Sequence, residues 1–369
     1  MRIAFDHQTF TLQRYGGISR YFARTAAELL IAGEEVGIFA PFYQNGYLGD
    51  LPSSAIHGRH VDRYPRRTTR PFLALNRVVS RPGLHRWRPD IVHETYYASS
   101  SSRVRDVPLI LTVYDMTHEV CRADFAADDP TSEAKRKAVA RADHIICISR
   151  STQRDLIDLF GVDEKKTSAV LLGVDAPATA AVPVPVASPS GRPTLLFVGV
   201  RAGYKNFDGF VRAVAASPML RKEVEIVAFG GGAFTTGEAE LIAKLRLTPR
   251  IRQVAGDDMA LAAHYAAAAA LVYPSRYEGF GLPPLEAMMH DCPVVCSNTS
   301  SLPEVVEDAA ETFDPADEAA MARAIETVLS SEKRRRTLVA RGRERVRVLT
   351  WQKCARETLA VYQTVRGQR

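Results

Sequence analysis

Short runs rich in valine, isoleucine and leucine alternate with segments whose apolar residues recur at helical spacing, and this alternation passes through the chain twice. Such a pattern predicts parallel α/β sheets, because parallel strands need a long crossover and a helix supplies it. In the first round, strands are expected at 2–5, 36–40, 90–93, 109–113, 144–148 and 170–172, with a helix over 18–31. The stretch DAPATAAVPVPVASPSGRP, from Asp175 to Pro193, lacks periodicity and has the composition of a linker. From Thr194 the pattern restarts, with strands expected at 195–198, 225–229, 271–273 and 294–296 and helices over 207–215, 238–245 and 285–289. The fold class expected is α/β, with two Rossmann-like, doubly wound parallel-sheet domains facing a cleft. Their bounds are 1–176 and 194–349, joined by a linker at 177–193, with a terminal helix in 350–369 packing back toward the first domain. Open sheets of this kind take ligands beyond the carboxyl ends of their strands.

At 369 residues the chain is long enough for two cores, and 46% hydrophobic with 24% charged residues excludes a disordered or membrane-embedded chain. The five cysteines are scattered and form no Cys-x2-Cys pair, so a reduced cytoplasmic compartment without a zinc site is expected. The start carries Arg2 and Asp6 in place of a signal peptide, and the longest apolar stretch, around Ala262 to Tyr273, is too short to span a bilayer. The net charge of +6 is set by one segment, Arg59 to Arg88, where nine arginines meet the single acid Asp62. Tyr64, Phe72, Leu73, Leu75, Val78, Val79 and Trp87 lie among them. That is the composition of a surface docking on anionic lipid at the inner face of the cytoplasmic membrane, or of a solvated basic insertion; nucleic acid is not an expected partner.

Chemistry concentrates in YPSRYEGFGLPPLEAM, which begins at Tyr273, leaves a strand and enters a helix with proline in its first turn. Amides around Gly279, Phe280 and Gly281 at such a helix start form an anion site of the phosphate type. Glu278 and Glu286, with seven residues between them, suit sugar and ribose hydroxyls, since carboxylates facing a phosphate would repel it. The stretch resembles the Glu-x7-Glu signature of retaining family 4 glycosyltransferases with the GT-B fold, close to bacterial O-antigen and polysaccharide mannosyltransferases. The resemblance implies that Glu278 contacts the donor sugar, that Glu286 holds the ribose, and that Gly279, Phe280, Gly281 and Leu282 line the donor site. In VGVRAGYKNF, with Gly199, it implies that Lys205 holds the leaving diphosphate. The usual arginine position is Val200, so Arg201 is expected to substitute. FGGGAF, with Gly230, resembles the family's second glycine turn, and TSSLPEVV, with Ser300 and Glu304, the turn after the signature. In MMHDCPVV, Asp291 stands where the family has glycine, and a positive φ is tolerable for aspartate.

In the first half, QRYGGISRYF resembles the family's glycine loop, whose Gly16 and Gly17 would let amides approach the donor phosphates or the acceptor. DIVHETYY and LTVYDMTHE supply His93, Tyr114 and Asp115 as acceptor-side candidates and His118 as a catalytic one, Tyr114 standing where many members have histidine. The mechanism implied is front-face attack by an acceptor hydroxyl, with the leaving phosphate oxygen taking the proton, so that positioning and charge stabilisation are the protein's work. No cofactor and no metal are expected, and no Asp-x-Asp pair falls at a strand end. The donor implied is a GDP-mannose type of sugar, then a UDP-sugar; the acceptor implied is a saccharide or polyprenyl-linked saccharide. A GT-B epimerase of nucleotide sugars and a nucleotide-sugar-binding pseudoenzyme in an assembly complex remain alternatives. A dinucleotide-dependent dehydrogenase is disfavoured by the lack of Gly-x-Gly-x-x-Gly after the first strand.

Overall fold

The computed structural model describes residues 1–98, 101–175, 190–201 and 203–368; residues 177–189 of the expected linker lie outside the described residues. The chain forms two units. The first holds Met1–Glu119, Phe125–Gly173 and Trp351–Arg369, and the second Val120–Asp124 and Val174–Thr350.

In the first unit the strands are β1 (Arg2–Phe5), β2 (Glu35–Ile38), β3 (Phe42–Tyr43), β4 (Arg59–His60), β5 (Ile91–Glu94), β6 (Leu109–Val113), β7 (His144–Cys147) and β8 (Thr167–Ala169). Six of them make a parallel sheet in the order β2-β1-β5-β6-β7-β8, while β3 and β4 pair apart. Leu109, Ile110 and Leu111 have no exposed surface, as expected of strands covered by helices on both faces. The second unit has β9 (Thr194–Val198), β10 (Glu225–Phe229), β11 (Ile251–Val254), β12 (Ala270–Tyr273), β13 (Val294–Ser297) and β14 (Glu311–Phe313). Its parallel sheet runs β11-β10-β9-β12-β13-β14. Strand order reverses between β1 and β5 in one sheet and between β9 and β12 in the other. At such switch points adjacent crossovers diverge and leave a crevice at the carboxyl ends.

Helix Trp351–Gly367 packs along helix Gly17–Ile31 of the first unit. Trp351 and Tyr362 are buried there, worth about 1.5–3 kcal/mol each by area. Tyr362 OH also lies 2.6 Å from His93 Nδ1 on β5.

Three expectations change. The last strand of the first sheet is Thr167–Ala169, not 170–172; Val170 and Leu172 are buried but follow the strand as connecting chain. The strands Ile251–Val254 and Glu311–Phe313 were not expected. Finally, the aromatics of the arginine segment turn inward. Tyr64 is buried, stacks on Phe72 at 4.1 Å and donates to the Phe42 carbonyl, while Trp87 packs on Phe39 and carries the Arg2 guanidinium on its face. What helix Thr69–Trp87 leaves exposed is Leu75, Val78 and Val79 among arginines. Among the described residues no helix is long and apolar enough to cross a membrane.

Candidate active site

At the switch point of the second sheet, the chain leaving β9 brings Lys205 to the chain leaving β12. Lys205 Nζ donates to Glu278 Oε1 at 2.6 Å and to the Tyr273 hydroxyl at 3.2 Å, and lies 5.3 Å from the Tyr273 ring centroid. Lys205 and Glu278 are mostly buried, so their attraction is weakly screened. Burial, then the Glu278 charge, hold the Tyr273 phenol well above its ordinary pKa, so it stays protonated beside the pair.

The loop carrying Glu278 is tied down from the following turn. The Glu278 amide donates to Ser300 Oγ at 2.9 Å, and Ser301 Oγ donates to the Glu278 and Phe280 carbonyls at 2.9 and 2.8 Å. Arg276 N donates to the Tyr204 carbonyl at 2.7 Å, joining the two loops through the backbone. Gly281 caps helix Leu282–Met289 at φ 109°, and a Cβ there would come within 2.7 Å of the Leu302 side chain, so only glycine fits. Pro283 and Pro284 in the first helical turn carry no backbone N–H of their own, where an intrahelical partner would be lacking anyway. Gly279 lies in this turn, Phe280 is buried beside it and Leu282 opens the helix. Within this helix, Glu286 Oε2 accepts from the hydroxyl of Tyr265, on helix Asp258–Ala267, at 3.2 Å.

Arg201 is placed differently from expectation. Its Nε donates to Glu238 Oε1 at 2.8 Å, and its two terminal nitrogens donate to the carbonyls of Gly230, Gly232 and Ala233 at 2.9–3.0 Å. With its side chain 3% exposed, it clamps the glycine turn that follows β10, in which Gly230, Gly231 and Gly232 all have positive φ. Gly199, at φ 117°, donates to the Phe229 carbonyl beneath that turn. Lys205 and Glu278 thus form one cluster, and Arg201, Gly199 and Gly230 another. The sequence reading missed Tyr273, Ser301 and Glu238 as partners; Glu238 had one local signal, the Thr-x-x-Glu spacing from Thr235 that forms a capping box.

In the first unit, Gly16 caps helix Gly17–Ile31, and a Cβ on Gly16 would meet Gln13 Oε1 at 2.5 Å. His93 is corrected: it has no exposed surface, its Nδ1 pairs with Tyr362 and its Nε2 with Thr112 Oγ1 at 2.8 Å, and burial holds its pKa down at about 3. It is a neutral core histidine that pins the terminal helix, not an acceptor contact. Tyr114 is likewise buried, its hydroxyl donating to the Thr95 carbonyl at 2.5 Å. Asp115 Oδ1 accepts from the Thr117 amide at 2.9 Å, and its carbonyl accepts from buried Lys135, which also pairs with Glu119. His118 stacks on Phe125 at 4.0 Å, with Nε2 3.8 Å from Asp129. Asp291 adopts φ 55°, and Arg343 grips both its carboxylate oxygens at 2.6 Å. Among the described residues no three His, Cys, Asp or Glu side chains cluster as metal ligands do.

Comparison with known proteins shows the family to which the chain is similar. A family model described as Glycosyltransferase Family 4 matches residues 15–176, and one described as Glycosyl transferases group 1 matches residues 182–345. The chain is 48% identical over 98 residues to O-antigen chain mannosyltransferase B of Escherichia coli, a match covering 27% of this chain and only 26% of that protein. It is 31% identical over 309 residues to the D-inositol 3-phosphate glycosyltransferase of Kineococcus radiotolerans, covering 74% and 71% of the two. Among solved structures, sucrose-phosphate synthase from Thermosynechococcus elongatus superposes with a TM-score of 0.77 at 22% identity over 100% of both chains, a likeness of fold.

Proposed function

The chain belongs to the family 4 glycosyltransferases of GT-B fold, and from that premise we propose that it moves a sugar from a nucleotide diphosphate sugar to a saccharide acceptor in polysaccharide or glycolipid synthesis. The observation that carries this reading is the Lys205–Glu278 pair at the switch point of the second sheet. A cation there suits the diphosphate charge that grows as the glycosidic bond breaks, and a carboxylate suits the donor's hydroxyls. In the structure each group neutralises the other, so the donor has to replace this pairing with contacts of its own. The transfer breaks the anomeric carbon–phosphate oxygen bond and forms a bond from that carbon to the acceptor oxygen on the same face. The acceptor's proton passes to the departing phosphate oxygen. This is a retaining course, with Lys205 supplying the positive charge and no metal required.

The donor we favour is GDP-mannose, with UDP-sugars next; the likeness over 98 residues to an O-antigen mannosyltransferase supports mannose, as does the YGGISRYF form of the first glycine loop. We place the protein in the cytoplasm, peripheral on the inner face of its membrane. Helix Thr69–Trp87 supports this, because exposed Leu75, Val78 and Val79 among arginines offer an apolar strip with a cationic border to anionic headgroups. A polyprenyl-linked acceptor would be met there.

The test is thermal stabilisation of the purified protein by nucleotide diphosphates and their sugars in the presence of a chelator, since a ligand that binds only the folded state raises the midpoint. A shift with one base names the donor. The absence of a shift with every nucleotide would overturn the assignment.

A further inference from the structure

Lys205 and Glu278 both stand on connecting chain, Lys205 at the end of the short turn Gly203–Lys205 and Glu278 in the loop that follows β12. Tyr273 does not. It is the last residue of β12, paired in register with Cys296 of β13, and it is 2% exposed. The Lys205 ammonium therefore has one partner carried by a loop and one fixed by the sheet. A group that has to be held to a fraction of an ångström is held best from a strand.

The surroundings of the ammonium can be counted. It has three N–H bonds to give; one goes to Glu278 Oε1 at 2.6 Å and one to the Tyr273 hydroxyl at 3.2 Å. The rings of Tyr273 and Tyr204 bracket it, their centroids 5.3 and 5.4 Å from Nζ, within the range over which an aromatic face attracts a cation. Once Glu278 turns to the hydroxyls of a donor sugar, the carboxylate is lost to Lys205, and a head on a flexible four-carbon stem scatters unless something else keeps it in place. The phenol stays protonated through burial and the Glu278 charge. It thus anchors the ammonium without cancelling the charge that a diphosphate needs.

Resting on the transferase reading, we infer that Tyr273 is a positioning residue, whose hydroxyl keeps the Lys205 ammonium aimed at the distal phosphate of the nucleotide diphosphate when the donor sugar engages Glu278. It acts through Lys205 alone.

The experiment is calorimetric titration of the intact protein with GDP and GMP, and with UDP and UMP, in the parent, Tyr273→Phe, Lys205→Ala and the double variant. A monophosphate lacks the phosphate that Lys205 faces, so the preference for diphosphate reads the lysine. With the base that binds, we expect a preference of at least about tenfold in the parent, about threefold in Tyr273→Phe and none in Lys205→Ala. Adding Tyr273→Phe to Lys205→Ala should cost no further diphosphate affinity, because a residue that acts through Lys205 then has nothing to act on. Monophosphate affinity should stay at the parental value throughout. In the phosphorus NMR spectrum of the bound diphosphate, the β resonance of Tyr273→Phe should lie between those of the parent and Lys205→Ala, with the α resonance unmoved. If Tyr273→Phe fails to fold, 3,5-difluorotyrosine in place of Tyr273 keeps the shape and weakens the acceptor oxygen, and should lower the same preference. An undiminished preference in Tyr273→Phe, an equal loss of monophosphate affinity, or the same loss of diphosphate affinity in the Lys205→Ala background would overturn the role of Tyr273 and leave the transferase reading standing. A parent that binds none of the four nucleotides would instead refute that reading, and this inference with it.

Discussion

Lys205 Nζ and Glu278 Oε1 are 2.6 Å apart although 73 residues separate them in sequence, and the Tyr273 hydroxyl completes the contact at 3.2 Å. Removing Lys205 should therefore strip the site of its positive charge without opening the core. Lys205→Ala is expected to lower the turnover rate about 100- to 1000-fold, the usual effect of deleting one electrostatic group at a transition state. Its melting midpoint should fall, because Glu278 loses its buried partner, but by less than that of Arg201→Ala, which also loses three backbone contacts. Turnover within a few-fold of the parent would remove Lys205 from the chemistry.

Arg201 makes the contrasting prediction. Its guanidinium is buried on Glu238 and three carbonyls of the glycine turn, so Arg201→Ala leaves a carboxylate without its partner and the turn without its clamp. Breaking such a pair costs about 3 kcal/mol. Thermal unfolding should come roughly 5–10 °C earlier, and KM for the donor should rise more than the turnover rate falls. A variant with unchanged melting and the turnover loss of Lys205→Ala would instead return Arg201 to the diphosphate.

These two cations show how far the sequence could be read. Arg2–Phe5, Leu109–Val113 and Glu225–Phe229 were legible to the residue, because a strand buried on both faces is an uninterrupted apolar run. Ile251–Val254 was not, since Arg252 and Gln253 interrupt the run on an edge strand that only β10 pairs. Thr167–Ala169 was displaced for the same reason, its polar Thr-Ser edge lying beside the more apolar Val170–Leu172. Lys205 and Glu278 could be picked out because both follow strands that flank a switch point. The role of Arg201 depended on Glu238, 37 residues away and on another helix, and that partnership has no periodic signature. His93 illustrates the reverse, a polar residue in a strand whose two partners come from β6 and from the far end of the chain.

His93 also gives a pH prediction. An unfolded histidine takes up its proton near pH 6.5, whereas buried His93 resists until about pH 3. Between these values the unfolded chain binds more protons, so stability falls as the solution is acidified, by about 1.4 kcal/mol per pH unit from this residue. Urea unfolding of the parent between pH 7 and 4 should show that slope. In His93→Gln, which keeps hydrogen-bonding groups but does not titrate, the slope should be shallower by about that amount; an unchanged slope would rule out His93 as its source.

Gly281 should tolerate no side chain. Gly281→Ala places a Cβ at φ 109° and against Leu302, which disturbs the turn that Ser301 holds. A loss of about 1–3 kcal/mol and weaker nucleotide binding are expected, measured by melting with and without nucleotide. Normal binding in a fully stable variant would show that the turn is not needed for the donor.

The membrane reading is tested apart from the donor site. Arg66, Arg67 and Arg81 replaced by Gln should weaken sedimentation with anionic vesicles by about 100-fold at low salt, near 1 kcal/mol for each charge, and less at high salt. Equal partition of the parent and the triple variant would dismiss this surface as a docking site.

Helix Trp351–Gly367 belongs to the unit that begins at Met1, and its Tyr362 closes on His93. As the chain leaves the ribosome, the first unit emerges earliest but has to wait, its groove on helix Gly17–Ile31 uncovered, until the final helix has been made. The second unit needs nothing beyond Thr350. The order of synthesis is thus inverted in the order of completion, and a nascent chain stalled just short of Trp351 would present a finished second unit beside an unfinished first one, a natural client for a chaperone.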